Sequence, residues 1–193
     1  LRTPRLLLRP LRAALVDADF EAVVDGLSPS GSPLQRVFAR RDTWPRFGIT
    51  HAEDLFDLRR HEAEFDARVA FAYTVLDASD PRRCVGCVYI NPATRQGFHA
   101  EVMMWIRASS DKSLDSELED AVRTWLESDA WPGLGAIVFP GRDASIGKPE
   151  AADRGACWDF FEKLPLSEER HARVAADAST FVMHRALASG LMP

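Results

Sequence analysis

The chain has no run of basic side chains: its 24 Lys and Arg are interspersed with 29 Asp and Glu, for a net charge of −5. Neutralising phosphates supplies most of the affinity for nucleic acids, so a polynucleotide partner is not expected. No stretch approaches the roughly 20 apolar residues that a membrane helix requires, and Leu1 to Arg12 lacks the layout of a secretory signal. Cysteine is scarce, at three residues, an odd number that does not suit a secreted disulfide framework. These absences lead to the expectation of a cytoplasmic protein with neither membrane nor nucleic-acid partners. What is present is ordinary for a folded chain. Hydrophobic residues make up 46% and charged residues 27% of 193 positions, enough for one core and cramped for two, so residues 1–193 are expected to form a single domain.

Periodicity divides the chain into elements. Arg5 to Arg12 is leucine-rich and reaches Pro10, which predicts a strand near a sheet edge. Asp17 opens a helix with Phe20, Val23 and Val24 on one face, stopped by Gly26. Ser28 to Phe47 is rich in Ser, Pro, Gly and Arg and reads as a long loop. Thr50 and Glu53 have capping-box spacing ahead of a second helix, whose stripe is Leu55, Leu58 and Phe65. Val69 to Leu76, Arg83 to Ile90 and Ala100 to Arg107 read as three successive strands, the last buried on both faces. A third helix is predicted from about Leu114 to Glu127, with Ser116 and Glu119 repeating the capping-box spacing. A short strand over Leu134 to Pro140, a helix over Gly155 to Lys163 and a strand over Ser179 to Leu187 complete the order.

This order, with several short words in the sequence, resembles the GNAT N-acetyltransferase superfamily. Thr3-Pro4-Arg5-Leu6-Leu7-Leu8-Arg9-Pro10-Leu11 is similar to the opening of the branch that acetylates the N-termini of ribosomal proteins. Cys84-Val85-Gly86-Cys87-Val88-Tyr89-Ile90 is similar to that branch's third strand, and Ala100-Glu101-Val102-Met103-Met104-Trp105-Ile106 to its fourth. Phe160-Phe161-Glu162-Lys163-Leu164 resembles a word of its fourth helix. The resemblance implies an α/β (α+β) fold, a mixed and mostly antiparallel sheet flanked by helices. It also implies transfer of an acetyl or acyl group from acetyl-CoA to the amine of a small molecule or peptide. A domain that keeps the fold without the catalysis, and binds a small molecule or protein partner in the same cleft, is the alternative.

Acyl transfer to an amine needs a base for the amine, donors for the thioester oxygen and a proton for the leaving thiolate. The resemblance implies Glu101 on the fourth strand as the base. It implies the backbone of Met104, Trp105 and Ile106, where the fourth strand splays from the fifth, as the donors. The tyrosine that often protonates the thiolate is replaced by Phe161, and the chain's two tyrosines, Tyr73 and Tyr89, lie on predicted strands with structural roles expected. The family's pyrophosphate loop, Q/R-x-x-G-x-G/A, falls on Asp111 to Ser116. Glycines there let backbone N–H groups converge on phosphates at a helix N-terminus. Lys112, Ser113 and Ser116 are the candidate ligands, while Leu114 replaces a glycine, Asp111 and Asp115 bring negative charge to the motif, and Glu117, Glu119 and Asp120 in the first turns of the helix raise the acids to five. The motif is degenerate, and coenzyme A affinity is expected to be reduced.

Three other signals receive structural readings. Cys84-x-x-Cys87 has metal or redox spacing, yet residues three apart on a strand face opposite sides. His61-Glu62-Ala63-Glu64 lacks the second histidine of a zinc helix and is read as a solvated face. His99 and Glu101 share a face with Met103 by strand alternation.

Overall fold

The computed structural model describes residues 1–28, 34, 44–142 and 145–147. The predicted helix at 155–163, the strand at 179–187, Phe161 and most of the 28–47 loop lie outside the described residues.

Strand β1 (Leu6–Pro10) is followed by a single 3-10 turn and helix α1 (Val16–Val23). Gly26 turns the chain after α1 with φ of +70°, and a side-chain carbon there would lie 2.7 Å from the Ala108 Cβ. Both the left-handed conformation and the close approach require glycine. Helix α2 (His51–Asp66) begins at the predicted capping box. The Thr50 N–H donates to Glu53 Oε2 at 2.7 Å, and the Glu53 N–H returns to Thr50 Oγ1 at 3.3 Å. The buried stripe of α2 is Asp54, Leu58 and His61, rotated from the predicted Leu55, Leu58 and Phe65.

Strands β2 (Phe71–Asp77), β3 (Cys84–Pro92) and β4 (Ala100–Ile106) form the predicted meander. Helix α3 (Ser113–Leu126) then leads to β5 (Ile137–Val138). The sheet order is β1-β2-β3-β4-β5, antiparallel throughout except for a parallel β4–β5 pair. The mixed, mostly antiparallel sheet is as the sequence implies. The predicted Ser116–Glu119 cap is not used, because α3 starts at Ser113, one turn earlier. Among the described residues, no helix is long and apolar enough to cross a membrane.

Alternation along the strands sorts the core into two layers. Val88, Ile90, Val102 and Met104 pack with Leu118, Val122 and Leu126 of α3. Cys87, Tyr89, Met103 and Trp105 pack with Val23 of α1 and Leu58 of α2. One irregularity breaks the alternation: Val75 pairs with Gly86, but Leu76 pairs with Cys84, so β3 carries an extra residue at Val85. Val85 consequently joins the α3 layer, while Cys84 and Cys87 both face α1 and α2. The expectation that the two cysteines face opposite sides is therefore corrected, for the physical reason that a bulge resets the period-2 rule.

Gly86 sits at this bulge, and a Cβ added to it would lie 2.0 Å from the Trp105 carbonyl oxygen. Neither backbone can yield, so Gly86→Ala is expected to destabilise the chain by about 3 kcal/mol or more, at the upper end of overpacking costs. Thr50→Ala, which removes half the capping box, is expected to cost about 1 kcal/mol. Urea unfolding of both variants checks the ranking; equal midpoints would contradict the assigned role of Gly86.

Candidate functional site

Strand β4 is paired along its whole length with β3, from Gly86↔Ile106 to Pro92↔Ala100. On its other edge it meets β5 only at Ala100↔Ile137 and Glu101↔Val138. Strand β5 ends at Val138, so the edge of 102–106 is without a β5 partner among the described residues. Met104 and Trp105 are buried on opposite faces of this stretch, Met104 toward α3 and Trp105 toward α1 and α2. Ile106 is partly buried against the α3 layer.

Glu101 lies at the last paired position and is only 3% exposed. It is thus an interior carboxylate rather than a solvent-facing strand end. The Thr94 hydroxyl donates to its Oε2 at 3.3 Å. Alternation places it in the same layer as Met103 and Trp105, as the sequence predicts.

The loop after β4 and the first turn of α3 hold the positions of the pyrophosphate motif. Here Asp111 occupies the amides itself. Its Oδ1 accepts from the Ser113 N–H at 2.9 Å and its carbonyl from the Leu114 N–H at 3.0 Å. The Asp115 N–H is bonded to the Lys112 carbonyl at 3.3 Å. Lys112, Ser113 and Ser116 are exposed at the surface of this turn, and Leu114 is partly buried against the core.

The acids of this turn are not left to repel a ligand. Arg5, from the start of β1, bonds Glu117 at 2.6 Å, Asp111 at 3.1 Å and the Ser113 hydroxyl at 3.1 Å. Arg142, beyond β5, bonds Asp115 at 2.8 Å and also reaches Glu119. Arg123 bonds Glu119 at 2.7 Å, with its guanidinium 3.9 Å from the centre of the Phe139 ring. The count of one lysine against five acids is therefore corrected: two arginines distant in sequence and one on the helix pair with four of them. Beside Arg5 a groove of about 410 Å³ is lined by Asp77, Ser79, Arg83, Ser110, Asp111 and Leu114.

A mixed sheet whose fifth strand pairs in parallel with only the first two residues of the fourth, with a helix between them in sequence packed on one face, is a recognisable arrangement. No family model matches the chain, and no curated protein matches its sequence. Solved structures do. A GNAT-family acetyltransferase from Bordetella pertussis superposes with a TM-score of 0.52 at 21% identity, over 72% of this chain and 76% of the other. A ribosomal-protein α-N-acetyltransferase in complex with coenzyme A gives 0.51 at 15% identity, covering 71% of each chain. The microcin self-immunity acetyltransferase in complex with acetyl-CoA and AMP gives 0.50 at 9%, over 71% and 69%. The chain has the GNAT fold. At these identities the likeness is one of fold, and the chemistry has to be argued from the residues.

Glu101 is the last residue of β4 that β5 reaches and Met104 to Ile106 follow on the stretch without a β5 partner, while Lys112, Ser113 and Ser116 lie at the start of α3. Arg5 and Arg142 were missed by sequence reasoning, since nothing local ties position 5 or 142 to α3. A second group was also missed. Between α1, α2 and β3 lie Asp19, Asp54, Asp57, His61, Cys84 and Cys87, of which Asp19, Asp54, His61 and both cysteines are buried. His61, expected on a solvated face, contacts Tyr89 at 5.1 Å between ring centres and hydrogen-bonds Glu64 at 3.2 Å. Its helix face carries Asp54 and Leu58 at i−7 and i−3, a periodicity that was legible but was read as polar.

Burial pushes the Asp54 carboxyl up to about 8, and the charges of Asp19 and Asp57 add to the shift against the opposing influence of His61. Burial likewise raises Asp19 to about 6, opposed by the hydrogen bond from Cys87. Each pKa lies above the ordinary 3.8, so the folded chain holds protons that the unfolded chain releases. Stability is then intact near pH 4 and is lost as pH rises, through about 6 for Asp19 and toward 8 for Asp54. Asp54→Asn removes the larger of these losses. In buffer containing EDTA, its melting temperature relative to the parent chain is expected to climb between pH 5 and pH 8. Parallel melting curves over that range would contradict a buried, protonated Asp54.

Proposed function

We propose that this chain is an N-acyltransferase that transfers an acetyl or similar acyl group from coenzyme A to an amine on a small molecule or peptide. The single observation that carries this reading is Glu101, a buried carboxylate at the residue where β4 and β5 cease to pair. An opening of this kind admits the backbone N–H groups of Met104, Trp105 and Ile106 to a carbonyl oxygen, and Glu101 borders the same opening as a proton acceptor for the amine. Acetyl-CoA supplies the acyl group as a thioester.

The residues fit the two halves of that donor unequally. The parted strands suit an extended arm laid against β4. The phosphate end meets amides already bonded to Asp111, so Asp111 has to release the Ser113 N–H before Lys112, Ser113 and Ser116 can take part. Charge is less of an obstacle than amide occupancy, because Arg5 and Arg142 already balance most of the carboxylates.

Asp111 also motivates a second reading, in which the domain keeps the cleft without the catalysis and binds a small molecule or protein partner there. The two readings diverge in titration with acetyl-CoA and CoA. Binding with turnover of an amine supports the acyltransferase; no heat at millimolar ligand would end that reading.

Two variants sharpen the test. Glu101→Gln is expected to lower kcat by about 10² or more while leaving the KM for acetyl-CoA unchanged, as loss of a general base does. Unchanged turnover would remove Glu101 from the chemistry. Asp111→Gly frees the Ser113 amide and deletes an anion at a helix start, and is expected to tighten CoA binding by roughly fivefold, about 1 kcal/mol. Weaker binding in a calorimetric titration would contradict the amide argument.

A further inference from the structure

The bulge at Val85 brings Cys84 and Cys87 to one carboxylate. Cys87 Sγ lies 3.3 Å and Cys84 Sγ 3.9 Å from Asp19 Oδ1. The three ligand atoms all lie within 4.8 Å of one another, and all three residues are buried. In a zinc tetrahedron with bonds of roughly 2.3 Å to sulfur and 2.0 Å to oxygen, an S···O edge is about 3.5 Å. The two observed separations bracket that length.

Other buried polar groups face the same layer without partners among the described residues. Asp54 is fully buried, and neither of its carboxylate oxygens has a hydrogen-bond partner among those residues, while the charge of Asp19 acts on it. Thr74, paired across the sheet with Cys87, has a buried hydroxyl that is also unsatisfied. A buried carboxylate without a donor is costly unless a proton or a cation compensates it. Two thiols and one carboxylate supply three corners of a donor set suited to a tetrahedral, borderline-soft divalent ion.

We propose that Asp19, Cys84 and Cys87 form a structural zinc site that ties α1 to β3, with Asp54 of α2 as a neighbouring carboxylate. Binding moves no electrons: Zn²⁺ takes the two thiolates and the Asp19 carboxylate, and the protons displaced from the thiols pass to water. The site is enclosed by α1, α2 and the sheet, so the ion enters as the chain folds. The proposal does not depend on the proposed acyltransferase activity.

The test uses the full chain, refolded from denaturant under a non-chelating reductant with Co²⁺ as the probe. One equivalent of cobalt per chain, with thiolate-to-metal charge-transfer absorption that Zn²⁺ bleaches, is the expected result. Cys84→Ser and Cys87→Ser should each remove most of that absorption. Asp54→Asn should keep it while weakening metal affinity about tenfold or more. Should the serine variants fail to fold, the unmodified chain still decides: Zn²⁺ should raise its melting temperature and protect both thiols from alkylation. A folded, reduced chain that retains no metal after dialysis would overturn the proposal. So would cobalt absorption that survives in the serine variants, or a Cys84–Cys87 disulfide in protein isolated without reductant.

Discussion

Strand β4 is held unequally by its two neighbours, and the rest of the molecule is arranged around that inequality. On the β3 side every residue from Ala100 to Ile106 is in register, while on the β5 side pairing stops after two residues. A strand so firmly held on one edge can leave the other edge open without losing its place in the sheet. Its alternating side chains, Val102 and Met104 on one face and Met103 and Trp105 on the other, anchor it in both core layers at once. The edge without a β5 partner is therefore set by the backbone, and Glu101 stands at its start as the last residue that β5 reaches.

Electrostatics at the start of α3 show how pairing changes the meaning of a charge count. Five acids between positions 111 and 120 look hostile to a phosphate, but Arg5, Arg123 and Arg142 satisfy Asp111, Glu117, Asp115 and Glu119 in pairs. These pairs are partly exposed and individually weak contributors to stability. Their effect is on potential rather than on folding. What distinguishes this turn from a phosphate-binding loop is geometric, since Asp111 spends its carboxylate and its carbonyl on the amides a phosphate would use.

The layer between the sheet and α1 and α2 has a different character from the α3 layer. Leu118, Val122 and Leu126 present α3 with a wholly apolar face. The opposite layer buries Asp19, Asp54, His61 and Thr74 among hydrocarbon, with the Asp54 carboxylate and the Thr74 hydroxyl unsatisfied among the described residues. Such groups are seldom retained in a core without compensation. The bulge at Val85 concentrates them, because it rotates Cys84 onto the same side as Cys87.

The sequence by itself determined the meander of three strands, the capped start of α2 and the amphipathic α3, because periodicity and capping are local properties of the chain, whereas the mixed sheet followed from the family resemblance. It also marked Asp111 to Ser116 as poor in glycine, which is a statement about residue types alone. Only the tertiary structure decided that Glu101 is buried at the last residue β5 reaches, that Arg5 and Arg142 reach α3, and that Cys84 and Cys87 meet at Asp19. Arg5 and Glu117 are separated by 112 positions, and Cys87 and Asp19 by 68. No local pattern encodes a contact over that distance; it exists because the sheet register, with its single extra residue, brings those side chains to one place.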